Sequence, residues 1–155
     1  MCKLGENMKN NLSLITTVIV GAILIVGFSG CSAKGKQFSG FKTPEKGKGM
    51  VYVYRPSGFI GGGVYYDVKN QTNNDNIIGT LRNGGFIYKE MTPGKKILWA
   101  KTEAKHEVPV NVKENEIACI KGGVGFGIIV GRPELINVDK SICEVEIKET
   151  HASID

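Results

Sequence analysis

Met50-Val51-Tyr52-Val53-Tyr54-Arg55-Pro56 is the stretch on which the reading of this chain turns. Apolar, β-branched and aromatic side chains follow one another with no polar interruption until Arg55, and Pro56 ends the run. A short continuous segment of this kind predicts a central strand buried on both faces, because a half-solvated strand would alternate. The chain beyond it repeats a strand-and-turn pattern. Residues 57–63 are a glycine-rich loop, and Val64, Tyr66 and Val68 alternate with Tyr65 and Asp67 as in a half-buried strand. Residues 70–76 form a polar hairpin connection to a partner strand over residues 77–81, and Asn83-Gly84 predicts a tight turn into Phe86-Ile87-Tyr88-Lys89.

In Thr92-Pro93-Gly94, proline presets its φ and glycine accepts the positive φ of a type II turn, so the next strand covers residues 97–102. Val108, Val110 and Val112 alternate with Pro109 and Asn111, and a proline that cannot donate to the ladder places this strand at a sheet edge. Glu114-Asn115 turns the chain into a strand over residues 117–121. In the tail, Ile142, Cys143, Val145 and Ile147 are interspersed with charges over residues 141–149, which reads as a final strand, with a short helix as the alternative. Strands at this spacing, with 21 glycines and five prolines in 155 residues and no ten-residue helical period, give the fold class: all-β, a small antiparallel β-sandwich over residues 50–149. The length suits one domain with a modest core.

Toward the N-terminus, residues 31–49 are rich in Gly, Lys and Ser, with isolated Phe38 and Phe41 and neither structural period; they read as a flexible tether. Lys34, Lys36, Lys42, Lys46 and Lys48 there face only Glu45. Beside an anionic membrane such lysines gain about 1 kcal/mol each, and on a solvated linker they gain nothing. Before the tether, Met8-Lys9-Asn10-Asn11 is a short basic start, residues 12–28 are apolar except for Ser13, Thr16 and Thr17, and Phe28-Ser29-Gly30-Cys31 closes the segment. This is the layout of a signal peptide over residues 1–30. The uninterrupted apolar run, residues 18–28, falls short of the roughly 20 residues that span a bilayer.

Ser29-Gly30-Cys31 resembles the lipobox of bacterial lipoproteins, with Phe28 standing where leucine is usual. The resemblance implies cleavage between Gly30 and Cys31 and lipidation of the Cys31 thiol, whose thiolate is nucleophilic enough to accept a diacylglyceryl group near neutral pH. Two or three acyl chains then anchor stably. Ser32 follows the cysteine, where an Asp would signal inner-membrane retention, so the resemblance points to the periplasmic face of a Gram-negative outer membrane.

A second resemblance covers the folded part. Val51-Tyr52-Val53-Tyr54-Arg55-Pro56, Lys101-Thr102-Glu103, the glycine-rich residues 121–127 and Val130-Gly131-Arg132-Pro133 together resemble the bacterial lipoproteins that carry the "domain of unknown function 2846", over about residues 49–138. That family implies a lipid-anchored β-sandwich of the transthyretin or immunoglobulin kind. It supplies no activity, cofactor or catalytic residue.

Candidate sites are few. Residues 122–133 interrupt Val124, Phe126, Ile128, Ile129 and Val130 with five glycines. The spacing is not Gly-x-Gly-x-x-Gly, no Lys-Ser/Thr follows and no βαβ unit surrounds it, which excludes a dinucleotide or phosphate loop. The segment is either a bulged strand pair in the core, the preferred alternative, or an apolar loop whose Phe126 touches lipid or a partner. Arg55 and Arg132 each precede a proline; together they would make an anion site, and separately each would fasten a loop to carbonyls or to Glu103, again the preferred alternative.

Cys119 and Cys143 are the cysteines left to the domain, and either a disulfide or two buried thiols is compatible with export. Tyr52, Tyr54, Tyr65, Tyr66, Tyr88 and Trp99 serve equally as core or as a stacking surface for a glycan. His106 and His151 are the only histidines, and the spacing of Glu103, His106 and Glu107 has no metal-binding sense on a β connection. The formal charge of +5 is scattered, which disfavours nucleic acid as partner. These residues predict no enzyme, no cofactor and no metal, but a membrane-anchored binding or scaffolding module for an envelope protein; a small-ligand or glycan module is the alternative, and an unrecognised hydrolase a weaker one.

Overall fold

The computed structural model describes residues 32–74 and 76–154. The signal peptide, the cleavage site at Gly30 and the lipidation site Cys31 lie outside the described residues. Residues 31–155 form one compact unit. Among the described residues the strands are β1 (Gly49–Arg55), β2 (Tyr66–Asn70), β3 (Asn76–Leu81), β4 (Gly85–Met91), β5 (Gly94–Lys101), β6 (Lys105–Val112), β7 (Ile117–Gly125), β8 (Arg132–Val138) and β9 (His151–Ala152), with one α-helix, α1 (Lys140–Glu146). They make two sheets, ordered β8-β7-β1-β4-β9 and β3-β2-β5-β6. The all-β sandwich expected from the sequence is present, antiparallel but for the parallel pairs of β1 with β7 and of β4 with β9.

All seven residues of β1 are buried, as the uninterrupted run requires. Val51 and Val53 point between the sheets, where they join Val68, Leu98, Val110, Ile120 and Leu135 in the main core. Met50, Tyr52 and Tyr54 point the other way, into a second cluster with Phe86, Cys119, Cys143 and Ile147. A strand is apolar on both faces when both faces are covered, and here the sandwich carries a third, partial layer on the outside of the five-stranded sheet.

That layer corrects two expectations. Residues 32–49 are not a flexible tether but a strap laid along the sheet. Phe38 and Phe41 pack edge-on against each other and against Tyr52, with ring centroids 4.9–6.0 Å apart. The Phe38 N–H donates to the Thr150 carbonyl at 2.9 Å and the Lys42 N–H to the Tyr52 hydroxyl at 2.8 Å. Lys48 reaches Glu45 and Glu90 with its ammonium group. The tail is likewise helix followed by a 3-10 turn (Ile147–Glu149), not a strand. The residues that bury there are Cys143 and Ile147, four apart and on one helical face, while Ile142 and Val145 stay exposed.

Cys119 and Cys143 form a disulfide between β7 and α1, with Cα atoms 6.2 Å apart. Glu146 adds a polar link, accepting from the Tyr54 hydroxyl at 2.6 Å and the Lys121 ammonium at 2.7 Å. The Lys121 and Tyr54 donors hold the Glu146 carboxyl below the usual range, while burial first, and then the bond to Glu146, pushes the Tyr54 hydroxyl well up.

Local turn chemistry falls where the residues place it. Pro109 lies on β6, an edge strand, and Gly94 has a φ of 123°. The turns around Asn83-Gly84 and Pro93-Gly94 are tight, but each carries the chain from one sheet to the other rather than closing a hairpin. The two edge strands β6 and β8 are fastened by side chains: Asn137 donates to the Pro109 carbonyl at 2.8 Å, and the Leu135 N–H to His106 Nδ1 at 3.2 Å.

Candidate functional site

Strand register sorts the connections into two ends. One end gathers the loop over residues 56–65, the turn over 82–84, the turn over 102–104 and the tip over 126–131, since Arg55 pairs with Gly85, Gly125 with Arg132, and Lys101 with Lys105. We call it the loop end. Exposed apolar side chains concentrate there: Phe59 is 102% exposed, Phe126, Ile128 and Ile129 are each 87% exposed, and Ile60 and Tyr65 are more than half exposed. Here the preferred expectation for residues 122–133 is corrected. Gly122 and Leu135 belong to the sandwich, but residues 126–131 form an exposed tip between β7 and β8, because once strand pairing ends at Gly125 and Arg132 no facing strand remains to cover it.

The two apolar loops both pack against Val124 of β7. Val124 lies between them: a Cβ on Gly61 or on Gly131 would stand 2.7 Å from its side chain, and both glycines have positive φ. A shallow depression of about 550 Å³ separates them, lined by Val64 and Tyr65 on one side of the sequence and Ile129 and Val130 on the other.

Polar bonds, buried at Arg55 and exposed at Glu103, hold the backbone of these loops in place. Arg55, 3% exposed, donates from its two terminal nitrogens to the carbonyls of Val64 at 2.6 Å and Gly61 at 2.7 Å, and burial lowers its pKa. Asn83 both accepts from the Gly58 N–H and donates to the Gly58 carbonyl, at 3.0 and 3.1 Å. Across the depression, the Glu103 carboxylate accepts from the N–H groups of Ile128 and Ile129 at 2.8 and 3.0 Å, more weakly from Val130, and from Arg132 Nε at 3.3 Å. Those backbone donors, Ile129 first, hold the Glu103 carboxyl below the usual carboxylate range. Thr102 Oγ1 donates to the Gly131 carbonyl at 2.6 Å.

Arg55, Glu103, Phe126 and Arg132 are therefore brought to one end of the molecule, but not as an anion site. The two guanidinium groups bind different partners, Arg55 the carbonyls of one loop and Arg132 the carboxylate that organises the other. Tyr52, Tyr54 and Tyr66 are buried, which removes half of the six aromatic side chains from any surface a glycan could use. His106 accepts a backbone N–H, and among the described residues no three His, Cys, Asp or Glu side chains cluster as metal ligands.

The loop over residues 58–61, read from sequence only as glycine-rich, belongs to this apolar surface. Its signal is in the residues, since Gly58-Phe59-Ile60-Gly61 places large apolar groups between glycines in the same manner as Gly125-Phe126-Gly127-Ile128. The opposite end holds a depression of about 470 Å³ lined by Asn70, Thr72, Asn76, Glu90 and Lys96 among others, with Glu90 bound to Lys48 and the Glu45 N–H.

No family model, curated protein or solved structure matches this chain. Among the described residues no helix is long and apolar enough to cross a membrane.

Proposed function

We propose that this chain is a lipid-anchored protein of the bacterial envelope, of the kind that carries the "domain of unknown function 2846", attached through Cys31 at the periplasmic face of the outer membrane, and that its sandwich acts by binding an envelope component rather than by catalysing a reaction. The lipobox-like Ser29-Gly30-Cys31 supports the anchor. One observation carries the choice of binding: the loop end presents Phe126, Ile128 and Ile129 to solvent on a backbone held by Glu103 and Thr102. Apolar side chains exposed together on a fixed scaffold mark an interaction surface, and a fixed scaffold lowers the ordering cost of binding. The small-ligand or glycan reading has less support, because Arg55 and the Glu103–Arg132 pair are already engaged within the chain.

The test is the double substitution Phe126→Ser with Ile128→Ser. Stability should stay within about 0.5 kcal/mol of the parent, as for exposed positions, while crosslinking to envelope components in intact cells falls. A large loss of stability would reject the exposed tip as a binding surface. Radiolabelled palmitate should enter the parent and not Cys31→Ser; labelling that survives the substitution would overturn the anchor.

A further inference from the structure

We propose that the loop end is a membrane-docking surface: the tip over residues 126–131 and the loop over residues 58–65 enter the headgroup region of the same leaflet that holds the lipid on Cys31. This rests on the lipoprotein reading of Cys31 and names the occupant of the surface just described.

The position of Ser32, the residue next to Cys31, carries the argument. Ser32 bridges to Asn83 and the Ala33 N–H donates to the Asn83 carbonyl at 3.0 Å. Asn83 in turn is bonded by its side chain to Gly58, in the loop that carries Phe59 and Ile60. The described chain thus begins at the loop end. The strap stays near this end through the bridge of Gln37 to His151, the partner of Gly85, then crosses the sheet and reaches the opposite end at Gly49, which pairs with Met91. No spacer remains between Cys31 and the folded domain, because the segment that reads as a tether is laid along the sheet. One residue spans at most about 3.6 Å. A diacylglyceryl group on Cys31 holds that residue at the membrane surface, so the end of the sandwich at Ser32 lies against the bilayer.

The side chains found there suit that contact. Phe59, Ile60, Phe126, Ile128 and Ile129 stand exposed at the same end as a half-exposed Tyr65, and the Arg82 guanidinium lies 4.8 Å over the Tyr65 ring. Aromatic and basic groups at the edge of an apolar surface are the usual composition of an interfacial contact. The exposed basic residues Lys34, Lys36, Lys101 and Arg132 share this end. The acids near them include Glu103, whose charge Arg132 offsets, and Glu134 on β8. The balance favours anionic headgroups. A soluble protein that exposed these apolar groups to water would expose them to aggregation; a bilayer at zero stand-off covers them.

The experiment uses the full lipidated chain in vesicles of phosphatidylethanolamine and phosphatidylglycerol with brominated acyl chains. A tryptophan reporter is placed by Phe126→Trp at the tip, or by Ile77→Trp at the opposite end, in a Trp99→Phe background. If Trp99→Phe does not fold, the increment of quenching over retained Trp99 gives the same comparison. The tip reporter should lose most of its emission, at the depth of about 5–10 Å expected of an interfacial apolar face, and the Ile77→Trp reporter should lose little. If palmitate enters the chain and the protein stays on the vesicles but both reporters keep their emission, docking is overturned while the anchor stands. A tip unquenched by bromine yet shielded from iodide in native membranes would assign the surface to a protein partner or a second copy, and would also overturn it. A parent chain that takes up no palmitate removes the anchor, and docking falls with it.

Discussion

The outer face of the five-stranded sheet and the loop end are both rich in aromatic and aliphatic groups, yet the chain covers the first with its own strap and helix and leaves the second bare. On the sheet, Tyr52 meets Phe38, Phe41, Phe86 and Tyr88, and the Cys119–Cys143 bond and Glu146 fasten the cover. At the loop end polar bonds, buried at Arg55 and exposed at Glu103, hold the backbone of the apolar groups and leave their side chains uncovered. An apolar residue in this protein therefore contributes to stability or to contact according to whether another segment of the chain covers it. The two regions should respond oppositely to substitution.

The largest separation is expected at Tyr52→Ala. It removes a ring packed among four others and leaves a cavity under the strap, so stability should fall by about 3–5 kcal/mol, read by chemical denaturation. A loss as small as that expected at Phe126 would mean that the strap is not packed and that the two regions are alike. Next comes the cross-link. Cys119→Ser with Cys143→Ser opens a loop of 24 residues and should cost about 3 kcal/mol, with reduction by a thiol lowering the Tm of the parent to that of the variant. An unchanged Tm under reducing conditions would show that α1 holds to the sheet without the bond. Tyr54→Phe keeps the ring and removes the hydroxyl donor to Glu146, which retains Lys121; about 1 kcal/mol should be lost. A Tyr54→Phe protein as stable as the parent would show that Glu146 adds nothing to the cover.

How much of this contrast is legible in the residues depends on how local each signal is. The two-sided burial of β1 follows from five consecutive apolar residues, the edge position of β6 from Pro109, and the turns from Gly94 and Asn115, whose φ of 58° is left-handed. Each is decided within a few residues. The strap is not: Gly, Lys and Ser dominate residues 32–49, and their order comes from two phenylalanines and a few backbone bonds to partners about a hundred residues away. The tail misleads by its alternation, because only Cys143 and Ile147 are buried, four apart, and the disulfide that selects this face is itself a tertiary contact. At the tip, glycine and large apolar residues together suit either a bent core strand or an outward turn. Glu103, twenty-five residues upstream of Ile128, decides between them by supplying an acceptor for N–H groups that have left the sheet.

That carboxylate gives the smallest effect on global stability and the most local one. Glu103 is ionised to lower pH in the folded chain than an ordinary glutamate, so its contribution is fully present above the usual carboxylate range and is lost as pH falls through the depressed value. The amide proton shifts of Ile128 and Ile129 in NMR spectra should therefore follow one titration whose midpoint lies below that of a free glutamate, while amides under the strap, such as Phe38, show no such step. Glu103→Gln replaces a charged acceptor with a neutral one; the acid step should vanish from both isoleucines and Tm should move little. If the two amides titrate in Glu103→Gln as in the parent, some other group holds the tip, and the outward presentation of Phe126 loses the support assigned to it here.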